Sequence, residues 1–241
     1  MKTFLALTLS LLVPVSCVAA EPGKTEPKSS GKWVSLFDGK SLKGWMILSG
    51  FAQFHVEDGM IVGSTQEFSG NTFLCTDKSY GDFILELEVK DDPELNSGVQ
   101  FRSHVYQSET TIIGEKDGKK FKRVWPAGRV YGYQVEIADV AVNPNTSGGI
   151  YDEARKGVWL YDVSKDPVAS KAFKGNQWNK YRVECRGSSI KTSINGVPCA
   201  DLVDTMDARG FIGLQVHGIR GNKPLQVRFR NIRIQELVDK K

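Results

Sequence analysis

Three stretches of this sequence repeat one local arrangement, a glutamine followed two positions later by an ionisable side chain. Gln100 and Arg102 alternate with Val99 and Phe101, Gln134 and Glu136 with Tyr133, Val135 and Ile137, and Gln215 and His217 with Leu214 and Val216. Apolar residues at every second position mark half-buried β-strands, so each polar pair is expected on the face turned from the core. One such strand alone reads as a solvated edge of a sheet. Three that share a sheet gather amides, a guanidinium, a carboxylate and an imidazole on one surface. A merely wet face has a different composition, as Glu86, Glu88 and Lys90 or Arg182, Glu184 and Arg186 show. Amides beside one ionisable group of each kind suit a surface that reads sugar hydroxyls and moves protons. The proton-handling set is thus expected at Glu136, His217 and Arg102, with Gln100, Gln134 and Gln215 as hydroxyl readers.

Other residues are placed around this face by position. Asn96-Ser97-Gly98 reads as a turn into the Arg102 strand, and Ser147 to Ile150 as a flexible approach to Tyr151. Tyr151 is expected to stack on a sugar ring or donate its hydroxyl, the bland alternative being the end of a strand. Asp139 has the opposite parity to Glu136, Asp152 and Trp159 are rim candidates, and His55 and His104 read as surface residues. Residues 104–129 are rich in Lys, Arg and Gly yet carry Trp125-Pro126. So long an excursion reads as a lid, with Trp125 as a stacking platform, or as a surface loop.

The elements that must hold these groups are strands. Phe83, Leu85, Leu87 and Val89 alternate with Ile84, Glu86, Glu88 and Lys90, and Tyr181, Val183 and Cys185 with Arg182, Glu184 and Arg186. Asp58-Gly59 and Asn195-Gly196 sit between apolar runs and accept the positive φ angles of tight hairpins. Further strands are expected at 98–103, 130–138, 157–162, 211–217 and 225–235. No stretch sustains helical spacing, and with 24 glycines the chain reads as an all-β, two-sheet antiparallel sandwich.

Residues 1–20 have the three parts of a secretory signal, with Lys2, an apolar stretch from Phe4 to Val15, and Val18-Ala19-Ala20. Export to the periplasm or the medium is expected, with a lipid anchor at Cys17 as the alternative to free release. Residues 21–32 read as a disordered leader, 33–237 as one domain, and 238–241 as a tail. No downstream run reaches the roughly 18 apolar residues of a membrane span. A formal net charge of +4 without a basic, aromatic-interleaved stripe argues against a nucleic-acid partner. Cys75, Cys185 and Cys199 remain after cleavage, an odd number, so Cys185 is expected as a core residue or bridged to Cys199.

Eight short motifs in order resemble the DUF1080 family, also called the 3-keto-disaccharide hydrolase domain. They are Leu36-Phe37-Asp38-Gly39 with Leu42, Gly44 and Trp45; Asn96-Ser97-Gly98 before Phe101-Arg102; Tyr133 to Ile137; Gly149-Ile150-Tyr151; Trp178-Asn179; Asn195-Gly196; Gly213 to Gly218; and Val227 to Ile232. The resemblance runs from about Trp33 to Leu237. It implies a concanavalin A-like jelly roll, a carbohydrate substrate, and action on glycosides oxidised at C3.

Ordinary glycosidases need two carboxylates roughly 5 to 9.5 Å apart, and only Glu136 is expected on the polar face. A C3 carbonyl opens another route, because it acidifies the C2 proton and lets the C1 substituent leave by elimination, with hydration afterwards. Glu136 or His217 would be the base and Arg102 the enolate stabiliser. In a competing version a divalent metal ion sits on Glu136 and His217 as Lewis acid. A non-catalytic carbohydrate-binding module and an orthodox endo-glycosidase remain the alternatives.

Overall fold

The structure, a computed structural model, describes residues 31–116, 118–138, 146–221 and 223–237. The expected export segment with Cys17, most of the leader, Asp139 and the tail lie outside the described residues. In chain order the strands are β1 (Trp33–Ser35), β2 (Trp45–Ser49), β3 (Gln53–Glu57), β4 (Met60–Ser64), β5 (Thr72–Tyr80) and β6 (Phe83–Asp91). They continue as β7 (Asn96–Val105), β8 (Thr110–Lys116), β9 (Lys119–Trp125), β10 (Val130–Ala138), β11 (Ile150–Glu153) and β12 (Trp159–Tyr161). The last are β13 (Asn179–Arg186), β14 (Ser189–Ile194), β15 (Val197–Val203), β16 (Gly210–Val216) and β17 (Gln226–Glu236).

Two antiparallel sheets face each other. One runs β15-β14-β13-β6-β17-β4-β3, with β1 also paired to β17; the other runs β12-β11-β10-β7-β16-β5-β2. Between them lies a single large core that includes Phe83, Leu85, Val99, Phe101, Tyr133, Val135, Tyr181, Leu214 and Phe229, all buried. These are the apolar members of the alternating runs, so burying them fixes which face each strand turns outward. The three glutamine-bearing strands are neighbours, in the order β10-β7-β16. Gln134 pairs with Gln100, and Gly213 pairs with Gln100 from the other side.

Both expected hairpins form. Asp58 and Gly59 join β3 to β4 at φ 48° and 74°, and Asn195 and Gly196 join β14 to β15 at φ 53° and 82°. Several strands escaped the sequence pattern. β5 is buried on both faces from Thr72 to Thr76, which erases alternation. Asn96-Ser97-Gly98, expected as a turn, is the start of β7. The excursion at 104–129 is not a loop: β8 and β9 pair as a two-stranded ribbon of their own.

A bulge in β7 overturns one expectation. Tyr131 pairs with His104 and Tyr133 with Phe101, so Arg102 and Ser103 together face the single residue Gly132. Arg102 takes a left-handed φ of 46°, and the extra residue resets the parity of the strand. Ser103, not Arg102, lies with Gln100 on the outer face. Cys185 and Cys199 are also not bridged; both are buried free thiols, as is Cys75. They sit on β13 and β15 with β14 between them, roughly 10 Å of sheet width, beyond a disulfide's reach. Burial pushes Cys185 up to about 12 and Cys199 to about 11, so both are inert thiols at neutral pH.

Candidate functional site

Glu136 is the buried hinge of a hydrogen-bonded network on the outer face of the seven-stranded sheet. Asn96 donates its Nδ2 to one carboxylate oxygen and Gln134 its Nε2 to the other, the latter at 3.0 Å. Gln134 then has its oxygen turned to two further amides, accepting from Gln100 Nε2 at 2.7 Å and Gln215 Nε2 at 2.9 Å. Ser103 closes the far end by donating to Gln100 Oε1 at 2.8 Å. An ionised carboxylate only accepts hydrogen bonds, so Glu136 dictates which way every amide in the chain points. Gln215 Oε1 is left buried with no partner, an acceptor at the floor of the site.

Above this floor opens a groove of about 410 Å³, lined among others by Gln134, Glu136, Tyr151, Gln215, His217 and Trp125. Its size is that of a small-ligand site. His217 follows β16, and its Nδ1 lies 2.7 Å from the Gly218 carbonyl. A carbonyl can only accept, so Nδ1 carries the proton and Nε2 is the basic nitrogen of the neutral ring. Tyr151, set on β11 opposite Gln134, packs edge-on against Trp159 with ring centroids 5.3 Å apart. Burial, with Glu153 nearby, raises its phenol above the ordinary range, so the hydroxyl is a proton donor at neutral pH.

The sequence expectations divide on this geometry. Glu136, His217, Gln134, Gln215, Tyr151 and Trp125 come together in the groove. Gln100 is fully buried beneath it and supports Gln134 rather than lining the cavity. Arg102 is a correction: turned inward by the bulge, it ties the two sheets at one end of the sandwich. Its Nε donates to the Gly81 carbonyl, one terminal nitrogen to the Gly187 carbonyl, and the other to Asp82, each at 2.8 Å. Asp152, expected at the rim, is fully buried and holds Arg155.

The groove has a cation all the same. Arg129, just before β10, is sandwiched with its guanidinium 4.9 Å from the Trp125 ring and 5.6 Å from Phe73, and it pairs with Glu153. Glu153 also accepts from Asn71 at 3.2 Å. Both were missed, although Glu153 stands two residues after Tyr151 on the same strand and so shares its face. Arg129 carried no signal, because it lies in a stretch without alternation. Arg123 and Trp159 complete the walls, with Asn96. A cavity of similar size lies on the opposite sheet beside Trp33, Glu86, Lys180 and Arg233, but there the charges satisfy one another.

A family model of the 3-keto-alpha-glucoside-1,2-lyase-like domain matches residues 32–235. The chain belongs to this family. No curated protein matches the sequence. Among solved structures, this lyase-like domain resembles a candidate glycosyl hydrolase from Parabacteroides distasonis ATCC 8503 at 20% identity, over 86% of this chain and 94% of the other, with a TM-score of 0.56. It also resembles the carbohydrate-binding module CBM66 from Bacillus subtilis, at 15% identity over 80% and 96% of the two chains, TM-score 0.52. A Bacillus subtilis protein with a galectin-like fold aligns at 12% identity over 83% and 92%, TM-score 0.53. At such identities the likeness is one of fold, the concanavalin A-like β-sandwich. Within the described residues, no helix of the lyase-like domain is long and apolar enough to cross a membrane.

The second carboxylate that an orthodox glycosidase needs has a candidate in Glu153. Glu153 pairs with Gly132, four residues along β10 from Glu136, which sets the two Cα atoms roughly 13 Å apart. Glu153 is moreover engaged by Arg129 and Asn71. With its carboxylate held by Arg129, Glu153 is not free to flank a scissile bond opposite Glu136.

Proposed function

We propose that this domain cleaves glycosides oxidised at C3 by eliminating the substituent at C1. The supporting observation is that His217 offers a basic Nε2, and Tyr151 a protonated hydroxyl, in the groove whose floor is the Glu136 amide network. Nε2 takes the C2 proton, which the neighbouring C3 carbonyl has acidified. The electron pair of the C2–H bond becomes the C1=C2 bond as the C1–O bond breaks, and Tyr151 returns a proton to the departing oxygen. Arg129, which lines the groove, takes the place first expected of Arg102 as a cation that offsets charge developing on the carbonyl oxygen. The family description, a 1,2-lyase acting on 3-keto-glucosides, is consistent with elimination between these carbons. Water added to the resulting enone gives net hydrolysis.

A divalent ion held by Glu136 and His217 is the rival arrangement. Among the described residues no three His, Cys, Asp or Glu side chains converge, so such an ion would draw on these two, on the unpartnered Gln215 amide oxygen and on water. It would supply Lewis acidity toward the C3 carbonyl. The proposal also puts this chemistry outside the cytoplasm, on the strength of the export segment read from the sequence.

The test uses purified protein with a 3-keto-glucoside and its parent glucoside, with and without EDTA, following the conjugated enone by ultraviolet absorbance. Only the keto form is expected to be cleaved, and His217→Ala and Glu136→Gln are each expected to lower kcat by about a hundredfold or more. Equal cleavage of both glucosides defeats elimination. Loss of turnover with EDTA, restored by a divalent ion, assigns His217 and Glu136 to a metal instead. Sugar binding without any product favours a binding module, which the likeness to CBM66 keeps as the second reading.

A further inference from the structure

The ribbon β8–β9 stands apart from both sheets, and a lone two-stranded hairpin contributes little stability of its own. Its residues are better explained by what they face. Arg123 and Trp125 line the groove, which identifies the odd-numbered face of β9 as the one turned toward the site. Phe121 continues that face: its ring lies over Gly114, across the strand pair, and the Arg123 guanidinium stacks 5.0 Å from it. Lys119 follows by alternation. Trp125, Arg123, Phe121 and Lys119 thus form an aromatic–cation–aromatic–cation track leading out of the groove, with steps of roughly 7 Å.

The cations of this track are uncommitted. Most other arginines among the described residues are ion-paired, as Arg129 is with Glu153 and Arg155 with Asp152 and Asp207, while Arg209 bonds only the Ser79 carbonyl. Among the described residues, Arg123 has no carboxylate partner, and neither has Arg220, which lines the adjoining cavity on the far side of His217. A neutral glycoside gives no reason to hold unpaired guanidinium groups in the groove and in the cavity adjoining it. Aromatic faces stack on sugar rings, while guanidinium forks match carboxylate and sulfate oxygens.

We infer that the ribbon is an extension of the binding groove, and that the glycan it receives is an acidic oligosaccharide bearing carboxylate or sulfate groups. This rests on the carbohydrate reading of the groove given above, and it names the substrate class. The probes are cellohexaose, its C6-carboxylate form and its 6-sulfate ester, titrated calorimetrically at low and high salt. At least one acidic hexamer is expected to bind about tenfold tighter than the neutral one at low salt, with the advantage shrinking as salt rises. Which acidic form binds tells uronate from sulfate. Arg123→Ala and Phe121→Ala are each expected to weaken acidic binding about fivefold, whereas Lys191→Ala, on the opposite sheet, leaves it unchanged. Circular dichroism checks that each variant is folded. Equal binding of the three hexamers, no binding of any, or ribbon variants that match wild type overturn the proposal. If only this proposal is wrong, cleavage of 3-keto-glucosides persists; if only the lyase reading is wrong, acidic hexamers bind and no keto-glucoside is cleaved.

Discussion

One charge organises the floor of the groove. Because Glu136 can only accept, Asn96 and Gln134 must present their amino groups to it, and each further amide along the chain is turned the same way. Arg102 belongs to none of this. It is fully buried, with its donors spent on Asp82 and the carbonyls of Gly81 and Gly187. Removing one partner of such a pair strands the remaining groups, at a cost of about 3 kcal/mol. Arg102→Met is therefore expected to lower the urea midpoint substantially while the folded fraction keeps its KM. A catalytic loss with unchanged stability would return Arg102 to the site. The sequence showed this arginine two places after Gln100 and gave no sign of the bulge between them. A bulge is one extra residue whose presence depends on how three strands pair, and Gly132 and Gly210, which make room for it, are unremarkable in isolation.

At the scale of elements, the network depends on the close pairing of β7 and β10. Gly98 stands opposite Glu136, and the Gln134 side chain lies across it. A Cβ at position 98 would stand 2.5 to 2.7 Å from Gln134 Cδ, Cγ and Nε2. Gly98→Ala is expected to push Gln134 off Glu136 and break a charge-assisted hydrogen bond, lowering kcat by about tenfold or more with a smaller effect on stability. Activity measured alongside thermal melting separates the two effects; a wild-type kcat would mean that Gln134 does not position Glu136. The strands themselves were legible where polar residues alternate with apolar ones, as in β6, β10 and β13, and where Asp58-Gly59 and Asn195-Gly196 fixed a turn. They were illegible where apolar side chains occupy both faces, as Phe73, Leu74 and Cys75 do in β5. The β8–β9 ribbon was hidden for the opposite reason: it pairs with neither sheet, and its alternation of Phe121, Arg123 and Trp125 with Lys120, Lys122 and Val124 gives no apolar face.

Taken whole, the sandwich has two outer faces of different character. One is the amide floor of the groove. The other, on the eight-stranded sheet, carries cross-strand ion pairs centred on Glu86, which faces Arg182 on one neighbouring strand and Arg233 on the other. Burial alone would raise the Glu86 carboxyl, but hydrogen bonds from Arg233, Lys180 and Arg182 outweigh it and hold the pKa below its ordinary 4.5. Asp207, at the end of the seven-stranded sheet, behaves alike: burial raises it, while His104 and Arg155 bring it below 3.8. A carboxyl depressed by folding contributes stability above its unfolded pKa, and that contribution fades as pH falls through the folded value. Stability is therefore expected to be flat with pH from these two groups above about pH 5 and to decline from about pH 4.5 downward. Urea denaturation across pH 3 to 7 measures it, with Glu86→Gln as comparison. The variant should be less stable at neutral pH and converge on wild type as acid protonates Glu86. If the gap between them stays constant down to pH 3, the ion pairs of this face are not what acid removes.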